Sequence, residues 1–219
     1  MPNDPALKTA SSAATPAPQV DPATAAAFAG NIARWRAMSP RPMDCPVPWF
    51  PIDAPVHNLP GRRGPQAYRS TLQALDPAGN PRYTARDGRT FCNIFAWDAT
   101  RALGAELPHW IFADGGIAPA EAPGATRTNC NILFHWLREH GGRHGWRTVG
   151  SDEAQAAADR GEPTIALWKN PEGPHGHIAF LLPAGAGGPR FAQAGERNFL
   201  DGSFADSFGA KSVEYWTHT

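Results

Sequence analysis

The chain has 219 residues, 42% hydrophobic and 18% charged, which is enough for one globular domain with a modest extension and too little for two full domains. Its 20 Lys plus Arg balance 20 Asp plus Glu, so the basic excess of a nucleic-acid footprint is absent and no nucleic-acid partner is expected. Glycine (22) and proline (23) are abundant but follow no period, which excludes a collagen-like repeat and disfavours an all-helical bundle.

Residues 1–20 are mostly Ala, Pro, Ser and Thr, too poor in large apolar groups to offset the entropy of ordering, and read as a disordered leader. They show no basic stretch followed by an apolar one, so a cytoplasmic origin is expected, with any export by a route other than a secretory signal. No apolar run approaches a bilayer span, and no membrane partner is expected. Residues 21–60 read as an N-terminal helix and a strap. Asp21 is placed to cap a helix from Pro22 to Met38, with Phe28, Ile32 and Trp35 on one face; beyond it, prolines recur around Cys45, Trp49, Phe50 and Ile52 and forbid regular structure.

The main domain is expected over residues 61–219. A short helix over Gln66 to Leu75 is ended by Asp76-Pro77. Phe91 to Leu103 puts Phe91, Phe95, Ala99 and Ala102 on one face and stops at Gly104, which predicts a buried helix starting near Cys92. Further helices are expected from Cys130 to His140, terminated by Gly141-Gly142, and from Asp152 to Arg160, capped by Ser151. Short apolar or alternating runs at 163–169, 176–182, 190–194 and 212–217 predict one antiparallel sheet, with Ala184 to Gly188 as a hairpin turn. Helices first and strands afterwards give an α+β fold. The odd count of three cysteines, Cys45, Cys92 and Cys130, at wide spacings implies neither a disulfide framework nor a zinc knuckle.

A thiol in the first turn of a helix sits where unpaired backbone N–H groups favour the thiolate, so Cys92 is the candidate nucleophile. His177, opening the run GHIAFLL, is the candidate base, with His175 two residues earlier beside it. A base needs a third group to orient it, and either Gln193 or Asn198 can serve. His109 and Trp110 are candidates to line a cleft near the nucleophile's helix, and Asn93 flanks the cysteine. His135, His140 and His144 read as solvated, Cys130 as a cap or core residue, and Trp97, Trp136, Trp168 and Trp216 as core. His175-x-His177 lacks a supporting ligand cluster, so no metal or other cofactor is expected.

Cysteine at a helix start, then histidine at a strand start, then a polar residue on the next strand resembles the papain-like peptidoglycan hydrolases of the NlpC and CHAP type. The resemblance is carried by GRTFCNIFAWD (88–98), GHIAFLLP (176–183) and FAQAGERNF (191–199). It implies a papain-like domain with Cys92 as nucleophile, His177 as base, Gln193 as orienting residue and Tyr83 near the oxyanion. It further implies a cysteine amidase or endopeptidase acting on the peptide of the bacterial cell wall. Such an enzyme fits a phage-type lysin or a delivered antibacterial effector, the latter with a cognate immunity protein as partner. The alternatives are an effector that cleaves or deamidates a protein, and a non-enzymatic interaction module.

Overall fold

A computed structural model describes residues 50–52, 56, 58–185 and 188–219. The leader, the helix expected from Pro22 to Met38 and Cys45 lie outside the described residues, as does most of the strap. The described part is a mixture of helices and antiparallel sheet, as the order of hydrophobic patterns predicts.

The first helix, α1 (Pro65–Leu75), has proline in its first turn and ends on Asp76 in the left-handed region, φ 50°. A 3-10 turn, Pro81–Tyr83, leads to α2 (Cys92–Ala102), whose inward face carries Phe95, Ala99 and Ala102, all at most 1% exposed. A two-stranded ribbon of β1 (Trp110–Ile111) and β2 (Thr126–Arg127) precedes α3 (Cys130–Glu139). There the expected glycine stop is instead a second 3-10 turn, Gly141–His144: Gly141 is buried against Leu137 and Trp146, and Gly145 takes the left-handed conformation that ends it. After β3 (Trp146–Val149) comes α4 (Ser151–Asp159). Its N-cap is Gly150, so Ser151 is the first helical residue and not the cap, its hydroxyl lying 3.4 Å from the Asp152 carboxylate.

The remaining strands are β4 (Thr164–Trp168), β5 (His177–Leu181), β6 (Phe191–Gln193), β7 (Phe199–Gly202) and β8 (Glu214–His218), with a short α5 (Phe204–Phe208) between the last two. They form a six-stranded sheet ordered β3-β8-β4-β5-β6-β7 in which every neighbouring pair is antiparallel. Ala184 to Gly188 falls in the β5–β6 connection, where a turn was expected.

The core runs from α1 through α2 to the sheet as a chain of edge-on aromatic contacts. Tyr83 meets Phe95 at 5.2 Å, Phe95 meets Phe180 at 5.5 Å, and Phe180 meets Tyr68 at 6.4 Å between centroids. Tyr68 also ties α1 to the two central strands. Its buried hydroxyl lies 2.9 Å from the Thr164 carbonyl and 2.8 Å from the Leu181 carbonyl, and accepts from the Thr164 N–H at 3.2 Å. Burial pushes this phenol above its ordinary range, so it is a neutral donor at all working pH values. Tyr68→Phe leaves those strand groups without their partner and is expected to lower unfolding free energy by about 1–3 kcal/mol, read from urea denaturation. A loss under about 0.3 kcal/mol would show that water replaces the hydroxyl.

Candidate active site

Three elements converge on Cys92. It is the first residue of α2, and the N-cap, Phe91, has no side chain able to accept from the first-turn N–H groups. Those donors lack intrahelical partners, so they point free hydrogen-bonding capacity and the positive end of the helix at the sulfur. The second element is the start of β5. His177 is its first residue, paired across from Trp168 of β4, and the N–H of Ile178 also donates toward the Cys92 sulfur. The third is the start of α3: Cys130 places its sulfur 3.4 Å from that of Cys92, with both side chains buried.

The imidazole of His177 is held from several sides. Its Nε2 lies 2.8 Å from Gln193 Oε1, and Gln193 in turn donates from Nε2 to the Arg197 carbonyl at 2.9 Å. That second bond fixes which end of the amide is the acceptor, so His177 carries its proton on Nε2 and leaves Nδ1 for the thiol. The ring lies 5.3 Å from that of Phe208, and a Cβ at Gly195 would sit 3.1 Å from its Cε1. Gln193 is the last residue of β6 and is 3% exposed, so the support is a rigid strand shielded from water.

The electrostatics follow from these contacts. A hydrogen bond from Cys130 holds the Cys92 thiol well below its ordinary range, helped against burial by His177 and by the Ile178 N–H. Cys130 moves the other way, pushed up by its bond to Cys92 and by burial. The contacts with His177 and the Ile178 N–H favour the charge on Cys92, and the helix starts differ as well: Asn129 caps α3 by accepting from the Ile132 N–H at 3.0 Å, whereas α2 has no such cap. For His177, burial opposes the charged form but is outweighed by Cys92 and Gln193, so its pKa stands above the ordinary value. The pair is therefore a thiolate facing an imidazolium. Thiolate requires a pH above the lowered Cys92 value and imidazolium a pH below the raised His177 value, so the reactive form fills the window between them.

The loop before β5 is built to present His177. Asn131, next to Cys130, donates to the carbonyls of Asn170 and Gly173 at 3.1 and 2.8 Å and accepts from the Asn170 N–H at 2.9 Å. Gly176 has no room for a side chain: a Cβ would lie 2.2 Å from the Trp168 carbonyl oxygen and 3.3 Å from the Cys130 Cβ. His175 is exposed on this loop, two residues before His177.

Other residues singled out from the sequence sit differently. Asn198 does not touch the imidazole; it accepts from the Gly195 N–H at 2.8 Å and donates to the Tyr83 carbonyl at 3.0 Å, so Gln193 holds the orienting position and Asn198 clamps the loop beside it. Tyr83 is fully buried and its hydroxyl donates to Asp98 at 3.0 Å, which removes it from any oxyanion. His109 is 5% exposed and stacked 5.1 Å from Trp97; burial, with Arg127 and Arg82, drops its pKa to about 4. His109 and the buried Trp110 are wall residues and do not face solvent. Asn93 is half-buried and donates to the Thr128 carbonyl at 3.0 Å, fastening α2 to the segment before α3. His135 is exposed as expected, whereas His140 and His144 are half-buried, His144 lying 5.0 Å from the Trp136 ring.

Sequence reasoning missed the partnership of Cys130 with Cys92. A signal was present, since both helices open with the same triplet, Cys92-Asn93-Ile94 and Cys130-Asn131-Ile132. It also missed Asp98, buried in α2, which accepts from Arg82 Nε at 2.6 Å and from Tyr83, and so pins the Pro81–Tyr83 turn to the helix that carries Cys92. A cavity of about 270 Å³ between α3 and the β1–β2 ribbon is lined by Ile111, Ile132, His135 and His140 but by none of Cys92, His177 and Gln193. The chemistry of the side chains, rather than concavity, locates the site. Among the described residues, no cluster of three His, Cys, Asp or Glu is arranged to hold a metal ion, and no helix is long and apolar enough to cross a membrane. The chain matches no family model, and no curated protein is significantly similar to it.

If Cys92 and His177 act as nucleophile and base, Gln193→Ala, which removes the acceptor that fixes the His177 tautomer, is expected to lower kcat by about 10- to 100-fold, the scale felt when a group that orients another is lost. The alkaline limb of the rate profile should also move to lower pH, because Gln193 helps hold the His177 pKa up. Unchanged kcat with an unchanged alkaline limb would exclude a positioning role.

Proposed function

We propose that this protein is a cysteine hydrolase of papain-like arrangement that cleaves an amide bond in the peptide of the bacterial cell wall. The observation that carries the chemistry is His177 fixed between Gln193 Oε1 at 2.8 Å and the Cys92 sulfur at the uncapped start of α2. The cell-wall substrate rests on the sequence resemblance described above.

In this reading the Cys92 thiolate attacks the amide carbonyl carbon, and the oxyanion forms beside the free N–H groups at the start of α2. His177, as imidazolium, gives its proton to the departing amine, leaving an acyl group on the sulfur. Neutral His177 then takes a proton from water, whose oxygen attacks the thioester carbonyl; collapse releases the carboxylic acid and restores the thiolate–imidazolium pair. Gln193 keeps Nε2 occupied throughout, so the Nδ1 side of the ring exchanges the proton. We assign substrate contact to His175, which is exposed on the loop that Asn131 holds. No cofactor is required for these steps. If the enzyme is a delivered effector, the partner expected in the producing cell is an immunity protein that blocks the approach to Cys92.

The test is digestion of purified sacculi by the wild type and by Cys92→Ala, with mass spectrometry of what is released. Muropeptides from the wild type alone support the proposal, and their masses name the bond. No release from Gram-negative or Gram-positive walls by folded, thiol-reactive enzyme would exclude the cell-wall substrate and turn the search to amides in proteins.

A further inference from the structure

Cys130 makes no bond to the substrate in the proposed cleavage, yet it lies against the nucleophile. Its sulfur lies 3.4 Å from that of Cys92, across 38 residues of chain, and both cysteines stand at the first position of their helices. Cys130 is only 2% exposed and Cys92 5%, so the pair is largely screened from bulk water. The backbone around the pair is firmly built: Gly176 packs on the Cys130 Cβ, Asn129 caps α3, and the Asn131 amide ties the following residue to the 170–173 loop. A sulfur held at this distance from a nucleophilic thiolate does one further thing well, which is to capture that thiolate once it has been oxidised.

We propose that Cys92 and Cys130 form a reversible regulatory disulfide, closed by a small peroxide, that switches the site off and protects its nucleophile. This rests on the reading of Cys92 as the nucleophilic thiolate. In the first step the Cys92 thiolate attacks one oxygen of hydrogen peroxide; the O–O bond breaks, hydroxide leaves, and Cys92 becomes a sulfenic acid. In the second, the Cys130 sulfur attacks the Cys92 sulfur, the S–O bond breaks, and the thiol proton leaves with the hydroxyl as water. The sum is two thiols plus hydrogen peroxide giving one disulfide plus two waters: two electrons leave the sulfurs and two reduce the peroxide. The imidazolium of His177 is placed to supply a proton to the hydroxide that departs in the first step.

Hydrogen peroxide, little larger than water, can reach side chains this buried, and the pair is expected to close under it. Without Cys130, the sulfenic acid has no resolving thiol among the described residues and proceeds to the irreversible sulfinic acid.

The experiment treats the full-length protein and its Cys45→Ser, Cys130→Ala and Cys130→Ser variants with equimolar hydrogen peroxide, then denatures and alkylates them and maps peptides by mass spectrometry. The expected result is a Cys92–Cys130 cross-linked peptide in the wild type and in Cys45→Ser, reopened by dithiothreitol with loss of the cross-link and recovery of both free thiols. In the Cys130 variants, Cys92 should instead trap dimedone as the sulfenic acid and pass to the sulfinic acid with further peroxide. Cys92 reaching the sulfinic acid in the wild type without cross-linking would overturn the proposal, as would a disulfide between Cys92 and Cys45. Because the readout is the bond and not turnover, a cross-link in a protein that fails to digest any wall would uphold the switch while refuting the substrate.

Discussion

Cys92→Ala is expected to reduce amide hydrolysis by at least about a thousandfold, the scale on which removal of a covalent nucleophile is felt, while leaving the fold intact. In the proposed reaction the Cys92 sulfur forms the acyl intermediate; the neighbouring Cys130 thiol is held neutral by its raised pKa, and His177, Gln193 and the helix N–H groups bind or move protons. Alanine fits the space without strain, since it removes one atom from a position 5% exposed and leaves Cys130 without its closest polar contact. The expected signature is thus a fall in kcat with little change in substrate binding and a melting temperature within a few degrees of the wild type, for a cost of about 1 kcal/mol. Activity within tenfold of wild type in a folded variant would mean that another group is the nucleophile.

The largest effect on stability is expected at Asp98. Its side chain is fully buried in α2 and accepts from Arg82 through two nitrogens, at 2.6 and 3.1 Å, and from the Tyr83 hydroxyl at 3.0 Å. Burial raises its pKa, opposed by Arg82, so the carboxylate is retained only because these donors surround it. Asp98→Ala leaves the Arg82 guanidinium, itself 7% exposed, buried without its counter-charge, and removes the acceptor for Tyr83. The expected loss is about 3–5 kcal/mol, typical of breaking a buried pair from one side. Urea denaturation would register it. The double variant Asp98→Ala with Arg82→Met should recover part of the loss, because it removes the stranded charge; equal destabilisation of single and double variants would show that Tyr83 and packing, not the ion pair, dominate.

Much of the fold was legible because its elements are locally written. The helix from Cys92 to Ala102 has a continuous apolar face and a glycine, Gly104, which takes φ +65° just beyond its end. The strands His177–Leu181 and Thr164–Trp168 are short runs rich in apolar residues and bounded by turns, and they became the centre of the sheet. What escaped was weakly written. Phe199–Gly202 contains Asp201 and Gly202, poor strand formers, and is a strand because it pairs with β6 at the sheet edge. Phe204–Phe208 is too short to show periodicity, although Ser203 and Asp206 form the reciprocal cap that a sequence can signal.

The candidate site divides along the same line. Cys92, His177 and Gln193 stand at the ends of elements, and their order along the chain suffices to suggest a thiol, a base and an orienting group. The choice of Gln193 over Asn198 turns on which strand position faces the imidazole, and β6, which carries Gln193, pairs with β7 through a register irregularity that no local pattern predicts. The fate of Tyr83 depended on Asp98, fifteen residues away and buried, and that of Cys130 on the packing of two helix starts against one strand end. Burial of polar groups by distant partners is a tertiary property, and a hydrophobic pattern does not encode it.

The rate of Cys92 alkylation by iodoacetamide as a function of pH, in the wild type and in His177→Ala, tests the central claim most directly because it needs no substrate. A thiolate supported by His177 should react at a plateau rate through neutrality and fall only at acid pH, and in His177→Ala the midpoint should move part of the way up toward the ordinary thiol value of about 8.5, because the Cys130 hydrogen bond and the Ile178 N–H remain. Identical profiles in the two proteins, both titrating near that ordinary value, would contradict the assignment of Cys92 and His177 as a catalytic pair.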